Sequence, residues 1–534
     1  MDRAIGRSRP GAAQAARPSW WPAALAGVIA GLVAIGVSEL VAGLVPGMPS
    51  LVTSMGDLVI ALQPPGAKDV VVSLFGSNDK LALNVAVVVV ALVVAALAGI
   101  LAQRRFDLGA AVFVGFGVVA GIAGAREPLA SPAAGALAAV IAVAAGLLAL
   151  RALIDRVPGG RRSSPTRPAT AATSGTMPDW DRRRFLIASA GTLGGAVVFG
   201  AVGRTLVDLR HPTGVVSTNR LPPALQPAPD PAQDQSYAIA GITPLVVPND
   251  DFYRIDTALL VPQVDAETWS LSMTGMIDRP QSFRYDELLE MPLFEQYVTI
   301  ACVSNQIGEH LVGNTVWTGV RLKELLAMAG VQAGATQIVG RSVDGFTVGF
   351  PTDWAMADGR EPMVAVGMGR EPLPAEHGFP ARLIVPGLYG YVSATKWLSE
   401  IELTTREAVD GYWVPLGWAK DAPILTQSRI DTPAAGASFA AATIPVAGVA
   451  WAPDRGIDGV EVRFDDGAWQ PAHISRPISK ATWVQWRYDW AATSGGHTIE
   501  VRAIDGTGTV QTADVTPPAP DGARGHHRIS VTVT

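Results

Sequence analysis

The sequence predicts three architectures in one chain of 534 residues: an α-helical membrane bundle, an α+β body, and a terminal all-β sandwich. Three observations predict them. About five long apolar stretches crowd the first 210 residues. The net charge changes from +8 over residues 1–210 to −14 over the remainder, leaving −6 in all. After about Ala419 the pattern turns to short strands separated by Asp-Gly turns.

The apolar stretches run from about Trp20 to Val45, Leu81 to Ala102, Leu108 to Ala125, Pro132 to Leu153 and Phe185 to Val207. Each approaches the ~20 residues that a spanning helix needs. Arg7, Arg9 and Arg17 precede the first, and Arg104 and Arg105 follow the second. Arg151, Arg156, Arg161, Arg162, Arg182, Arg183 and Arg184 lie between the fourth and fifth. Positive residues stay on the cytoplasmic side, so an odd number of spans puts residues 208–534 outside the cytoplasm. The predicted localisation is therefore a multi-pass membrane protein with its larger half extracytoplasmic. Leu51 to Phe75, interrupted by Pro64, Pro65 and Asp69, reads as an amphipathic or re-entrant stretch, because a sixth span would reverse the charge rule. Asp181-Arg182-Arg183-Arg184-Phe185-Leu186 reads either as an internal twin-arginine export signal or as arginines obeying that same rule.

These features divide the chain into a membrane region with its cytoplasmic linker (1–210), an extracytoplasmic tether (211–236), an α+β body (237–410) and a terminal all-β domain (411–534). Within the first, the Pro, Ser, Thr and Ala run from about Ser163 to Pro178 is the linker. Leu221 to Gln235 is the Pro-rich part of the tether. The acidic body has no basic footprint for nucleic acid. No histidine precedes His211 and there is one cysteine, which argues against a bis-histidine haem in the spans, haem c or an iron-sulfur cluster. No Gly-x-Gly-x-x-Gly follows a strand, so nicotinamide on a doubly wound sheet is unsupported.

In the body, Ser270 to Met276 and Gln337 to Phe350 read as strands, and Tyr285 to Glu290 and Leu322 to Ala329 as helices. Cys302, the single cysteine, follows an apolar strand-like run from Tyr297 and opens a polar, glycine-punctuated loop. Solitary cysteines are usually buried small hydrophobes, but strand-end loops are where scaffolds present reactive groups. Val460, Val462 and Phe464 lead into Asp466-Gly467, Ile499, Val501 and Ala503 into Asp505-Gly506, and Ile529, Val531 and Val533 end the chain. This alternation argues an antiparallel immunoglobulin-like sandwich.

Cys302, Ser304, Asn305, Gly313, Asn314, Trp317, Gly319, Val320, Leu325 and Leu326 stand at spacings that resemble the molybdopterin oxidoreductases of the sulfite oxidase type. The resemblance spans roughly residues 240–534. It implies a sulfite-oxidase-type molybdopterin domain, with Cys302 as the molybdenum ligand and Asn305 and Asp344 near the chemistry. It places Asn249, Tyr253 and Arg254 against the pterin. His377 and Arg382, in a block similar to Gly-x-Pro-x-Arg-Leu-x-x-Pro, and Ser304 join them. Ser393, Thr395 and Lys396, in a turn that looks like Ser-x-x-Lys-Trp-Leu, close on the cofactor phosphate. A guanidinium fork and a compact ammonium suit that anion, although either alone is more often a surface charge. Trp317 and Trp397 are read mainly as packing residues. Pro423 to Ile430 resembles the opening strand of the family's dimerisation domain, which implies a homodimer.

The implied function is a membrane-anchored, extracytoplasmic enzyme with one molybdenum-molybdopterin per chain. It would transfer an oxygen atom with two electrons between a small-molecule oxo donor or acceptor and an external electron partner. Sulfite-oxidising relatives tend to place arginines after the Cys-x-x-Asn step, where this chain has Gln306 and Ile307. S-oxide or N-oxide reduction thus stands beside sulfite-type oxidation. One alternative is a cofactor-free, membrane-anchored binding or adhesion protein on the same scaffold, which leaves Cys302, Arg382 and Lys396 unexplained. A transporter would need ionisable groups in its spans, where Glu39 is the clear candidate.

Overall fold

The computed structural model describes residues 20–64, 74, 79–157, 178–211 and 220–534. The linker expected from Ser163, the basic residues Arg7, Arg9, Arg17, Arg161 and Arg162, and the side chain of Arg182 lie outside the described residues. So does most of the stretch from Pro65 to Phe75. The chain forms two compact units, which meet in sequence at Arg210 and His211.

The first unit is helical: α1 (Trp21–Leu44), α2 (Leu51–Leu62), α3 (Asp79–Arg104), α4 (Phe106–Ala125), α5 (Pro132–Ile154) and α6 (Pro178–Arg210). Five of these are long and apolar enough to cross a membrane, and α2 is a shorter apolar helix. Small residues let the helices approach closely, as membrane interfaces require when burial from water no longer drives packing. A Cβ at Gly27 of α1 would stand 2.0 Å from the Ala95 carbonyl oxygen of α3, and one at Gly99 would stand 2.1 Å from that of Ala23. These pairings make α1 and α3 antiparallel. Gly36 meets Ala196, and Gly43 meets Gly203 and Leu206, so α1 and α6 run parallel. Arg210 Nη2 donates to the Leu44 carbonyl at 2.9 Å. The chain therefore leaves the bundle at the end where α1 finishes.

The second unit begins with the α+β body. Its strands are β1 (Ser270–Gly275), β2 (Gln281–Arg284), β3 (Phe294–Ala301), β4 (Val312–Arg321), β5 (Gln337–Ser342), β6 (Thr347–Pro351), β7 (Met363–Met368), β8 (Glu371–Pro372), β9 (Arg382–Ile384) and β10 (Leu398–Thr404). One sheet has the order β2-β1-β10-β5-β6; the other has β3-β4-β7-β8, with β9 also on β7. The helices are α7 (Tyr285–Glu290), α8 (Leu322–Ala329), α9 (Thr352–Met356) and α10 (Gly390–Ser393). Leu322, Leu325, Leu326 and Ala329 of α8 are buried at helical spacing, and Gly330 at φ 71° ends it in the left-handed region. The single strand expected from Gln337 to Phe350 is two, because Asp344-Gly345 turns the chain. Gly345 takes φ 85°, and the Phe346 amide donates to Asp344 Oδ1 at 3.0 Å.

Nine further strands build the sandwich: β11 (Gln427–Thr432), β12 (Ser438–Phe439), β13 (Thr443–Trp451), β14 (Ile457–Phe464), β15 (Gln470–Pro471), β16 (His473–Ile474), β17 (Val484–Ala491), β18 (Gly495–Asp505) and β19 (His527–Val533). They pair as β11-β13-β17-β16 and β12-β19-β18-β14-β15. Alternate residues Val460 and Val462, Ile499 and Val501, and Ile529 and Val531 face its core. The opening strand starts later than Pro423, at Gln427, because the Ile424 amide is already committed to the Gly387 carbonyl at 2.9 Å. Body and sandwich are knit by polar contacts, including Arg360 Nη2 to Asp454 Oδ2 at 2.6 Å.

Candidate active site

Strand β3 ends at Ala301, and the next residue is Cys302. Its amide donates to the Leu311 carbonyl at 2.9 Å, closing a loop between β3 and β4. Asn305 braces that loop: its amide donates to the Cys302 carbonyl at 3.1 Å, and its Oδ1 accepts from the Leu311 amide at 2.7 Å. Cys302, half-buried, lines a cleft of about 860 Å³ together with Val303 and Ser304. The β5–β6 turn contributes Ser342, Asp344 and Phe346, and the segment before β1 contributes Phe252, Tyr253, Ile255, Asp256 and Thr257. Arg382, Lys396 and Trp397 complete the inner wall, and Tyr391, Trp413 and Trp418 form an aromatic side.

Arg382 is 3% exposed, and among the described residues no carboxylate pairs with it. Its Nη1 donates to the His377 carbonyl at 2.9 Å, its guanidinium lies 4.9 Å from the Trp317 ring centroid, and its Nε has no partner. Burial pulls its pKa down to about 10. Lys396 Nζ donates to Asp256 Oδ2 at 3.0 Å and to the Glu376 carbonyl at 2.8 Å. Burial lowers Lys396 to about 8 against the opposing pull of Asp256. Trp397 beside it takes φ 47°, uncommon for a bulky residue, and is fixed by its Nε1 donating to the Ala375 carbonyl at 2.7 Å. It is thus both packed and part of the cleft wall.

His377 donates from Nε2 to the Asn249 carbonyl at 3.2 Å and leaves Nδ1 without a partner. Burial, with Lys396 and Arg382 adding to it, holds it neutral, lowered to about 3. Asn249 Nδ2 donates to the Met368 carbonyl at 3.0 Å, while its Oδ1 is unpartnered. The buried Thr395 hydroxyl also lacks a partner. Tyr253 stacks on Phe252 at 5.2 Å, and burial, then the neighbouring Cys302, pushes its hydroxyl far up. Asp344 is raised by burial, with Ser342 and the Phe346 amide opposing.

Of the expected site residues, Cys302, Ser304, Asp344, Tyr253, Arg382 and Lys396 meet on the cleft wall. Asn249, His377 and Thr395 stand off the wall with buried polar atoms unsatisfied. Three have other geometry. Asn305 spends its carboxamide oxygen on the loop, Ser393 donates to the Leu388 and Tyr389 carbonyls, and Arg254 is paired at 3.0 Å with Asp256. Gln306 is exposed and neither it nor Ile307 lines the cleft. Sequence reading missed Asp256, the buried carboxylate that bridges Arg254 and Lys396. It also missed the aromatic side, whose members lie in two separate segments. The run Arg254-Ile255-Asp256 was the available signal, since a buried carboxylate needs cations.

Buried polar atoms are normally satisfied, so three unpaired ones together with a guanidinium that has no carboxylate partner fit a bound anionic, hydrogen-bond-rich pterin. The comparisons agree. The oxidoreductase molybdopterin binding domain matches residues 258–413, and a bacterial Ig domain matches 427–501. Mitochondrial sulfite oxidase of Homo sapiens is 26% identical over 356 residues, covering 58% of this chain and 63% of that protein. The uncharacterized oxidoreductase YuiH of Bacillus subtilis (strain 168) is 33% identical over 154 residues, covering 29% of this chain and 74% of that protein. A solved structure, the sulfane dehydrogenase SoxCD from Paracoccus pantotrophus, aligns with TM-score 0.45 and 22% identity over 52% of this chain and 76% of its own. The chain spans less than two thirds of human sulfite oxidase. Its molybdopterin-binding domain implies a molybdenum cofactor. The chain belongs to the molybdopterin-dependent oxidoreductases of the sulfite oxidase type.

Proposed function

We propose that this chain is a membrane-anchored oxygen-atom-transfer enzyme that reduces an uncharged S-oxide or N-oxide, with its catalytic body outside the cytoplasm. The observation that carries this reading is the unpaired Arg382 on the same wall as Cys302. The Cys302 thiolate would ligate the metal, a soft donor suited to it. Arg382 and Lys396 would hold the pterin phosphate, and His377 Nδ1, Asn249 Oδ1 and the Thr395 hydroxyl would take its remaining polar edges. When bound, the molybdenum cofactor supplies two-electron oxygen-atom transfer.

The chain's own residues do the rest. Asp344, whose carboxyl burial shifts upward, stands on the same wall as Cys302 and is the group placed to exchange a proton with the departing oxygen. Tyr391, Trp413 and Trp418 exclude water and offer apolar surface to the substrate's substituents. The two cations on the wall, Arg382 and the Asp256-paired Lys396, are both taken by the cofactor. Among the described residues, the cleft lining holds no further cation to offset an anionic substrate such as sulfite, whose charge must be balanced on desolvation. Five arginine-flanked spans support the membrane and extracytoplasmic placement.

The test is molybdenum and pterin content of the full chain from a molybdopterin-competent host, with dimethyl sulfoxide and trimethylamine N-oxide as substrates and reduced viologen as donor. Near-stoichiometric metal, with turnover lost in Cys302→Ala, is expected. Full activity in Cys302→Ser, or folded chain with neither metal nor pterin, would overturn the reading.

A further inference from the structure

The helical unit contains an apolar, partly open pocket among α1 to α5. Ala34, Met55, Ala91, Phe116 and Val143 are among its lining, and its polar residue is Ser38. Ser38 is 2% exposed and its hydroxyl has no hydrogen-bond partner. A buried hydroxyl in hydrocarbon surroundings is rarely left so unless something completes it. One residue on, Glu39 accepts at Oε1 from Ser50 Oγ at 2.7 Å and leaves Oε2 unpartnered. Thr53 Oγ1 donates to Ser50 Oγ at 3.1 Å, extending a polar row along the start of α2. This layer lies about 9 Å before the end of α1, at ~1.5 Å per residue.

We propose that this cavity binds a lipid-soluble quinone and its hydroquinone, with the ring at Ser38 and the isoprenoid tail along the apolar wall. The inference rests on the oxide-reductase reading above. Such an enzyme needs a two-electron donor, and the spans contain neither histidine nor cysteine to hold a haem or cluster. A hydroquinone gives up two electrons and two protons to become the quinone. An S-oxide takes up two electrons and two protons, its S–O bond breaking to yield thioether and water. The two protons that the hydroquinone gives up equal the two that the S-oxide takes up. One polar handle on an otherwise apolar wall matches a quinone better than an acyl chain, which would leave Ser38 unpaired.

The test uses the full chain in detergent and tritiated menadione in equilibrium dialysis. Saturable binding is expected, weakened about fivefold in Ser38→Ala, one hydrogen bond's worth, and lost in Ala91→Phe, which fills the cavity. Non-saturable partitioning that is equal in all three chains would overturn the site. So would tightly held phospholipid that menadione fails to displace from the wild type. Viologen-driven oxide reduction, measured separately in wild type, reports on the catalytic reading. Its absence alongside saturable menadione binding would count against that reading while supporting the site.

Discussion

Arg429 of the sandwich and Arg382 of the molybdopterin domain are both buried, 1% and 3% exposed, yet their surroundings are opposite. Arg429 donates from Nε to Asp431 Oδ1 at 2.6 Å, from Nη2 to Thr243 Oγ1 at 2.7 Å and from Nη1 to the Glu309 carbonyl at 2.8 Å. Its charge is cancelled and its fork is filled by the chain itself, and one of its bonds holds the loop that carries Cys302. Arg382 has a carbonyl, an aromatic face and an idle Nε. A buried cation with its counter-ion inside the protein is architecture. One without a counter-ion is half of an interaction whose other half comes from outside.

The sharpest way to break this contrast is to neutralise each arginine. Arg429→Met should destabilise the chain by about 3–5 kcal/mol, because Asp431 is then a buried carboxylate without its partner. Arg382→Met should leave the cofactor-free chain as stable or slightly more so, by about 1 kcal/mol, since an unpaired buried charge is removed. It should also cost nearly all bound pterin. Denaturant unfolding with and without cofactor reads both. Equal destabilisation by the two substitutions would mean that Arg382 is structural after all.

Lys396 sharpens the comparison through pH. Its pKa in the fold is about 8, below the ordinary ~10.4 of a free lysine, so between these values the unfolded chain binds more protons. Stability of the cofactor-free chain should therefore rise as pH goes from about 8 to 10.4, by at most on the order of 3 kcal/mol. It should lack that rise in Lys396→Met. A phosphate anion would pull the pKa back up, so the slope should shrink when cofactor is bound. An identical slope in loaded and cofactor-free protein would argue that no anion reaches Lys396.

How much of this was legible in the sequence follows from how local each signal is. The α8 stripe of Leu322, Leu325, Leu326 and Ala329 repeats at helical spacing, and the five apolar runs are contiguous, so both could be read directly. Cys302, Arg382 and Lys396 were legible through their order along the chain. The Asp344-Gly345 turn was present but overrun by the apolar residues on either side of it. Asp256 left one local signal, its place beside Arg254, while the aromatic side could not be read, because Tyr391, Trp413 and Trp418 meet only once the chain has folded. Nor does any composition or period reveal that Arg382 Nε and His377 Nδ1 end without partners, since that is a property of three-dimensional neighbours.

The smallest expected effect concerns Asn305, which sequence reading put beside the chemistry and which sits behind Cys302 as a brace. Its Oδ1 accepts from the Leu311 amide, and the Cys302 amide donates to the Leu311 carbonyl, so one residue on the far side of the loop is held from both directions. Asn305→Ala removes the first bond at a cost of about 1 kcal/mol, and the sulfur should sample positions off its working geometry. Metal content should then stay near that of the wild type while turnover falls several-fold. Asn305→Asp keeps an oxygen acceptor at the same reach and should restore most of that loss. A residue acting on substrate through its amide N–H would give the reverse, with aspartate as poor as alanine and KM raised in both. The aspartate variant therefore separates a brace from a contact, as the two arginine-to-methionine variants separate an internal ion pair from a ligand site.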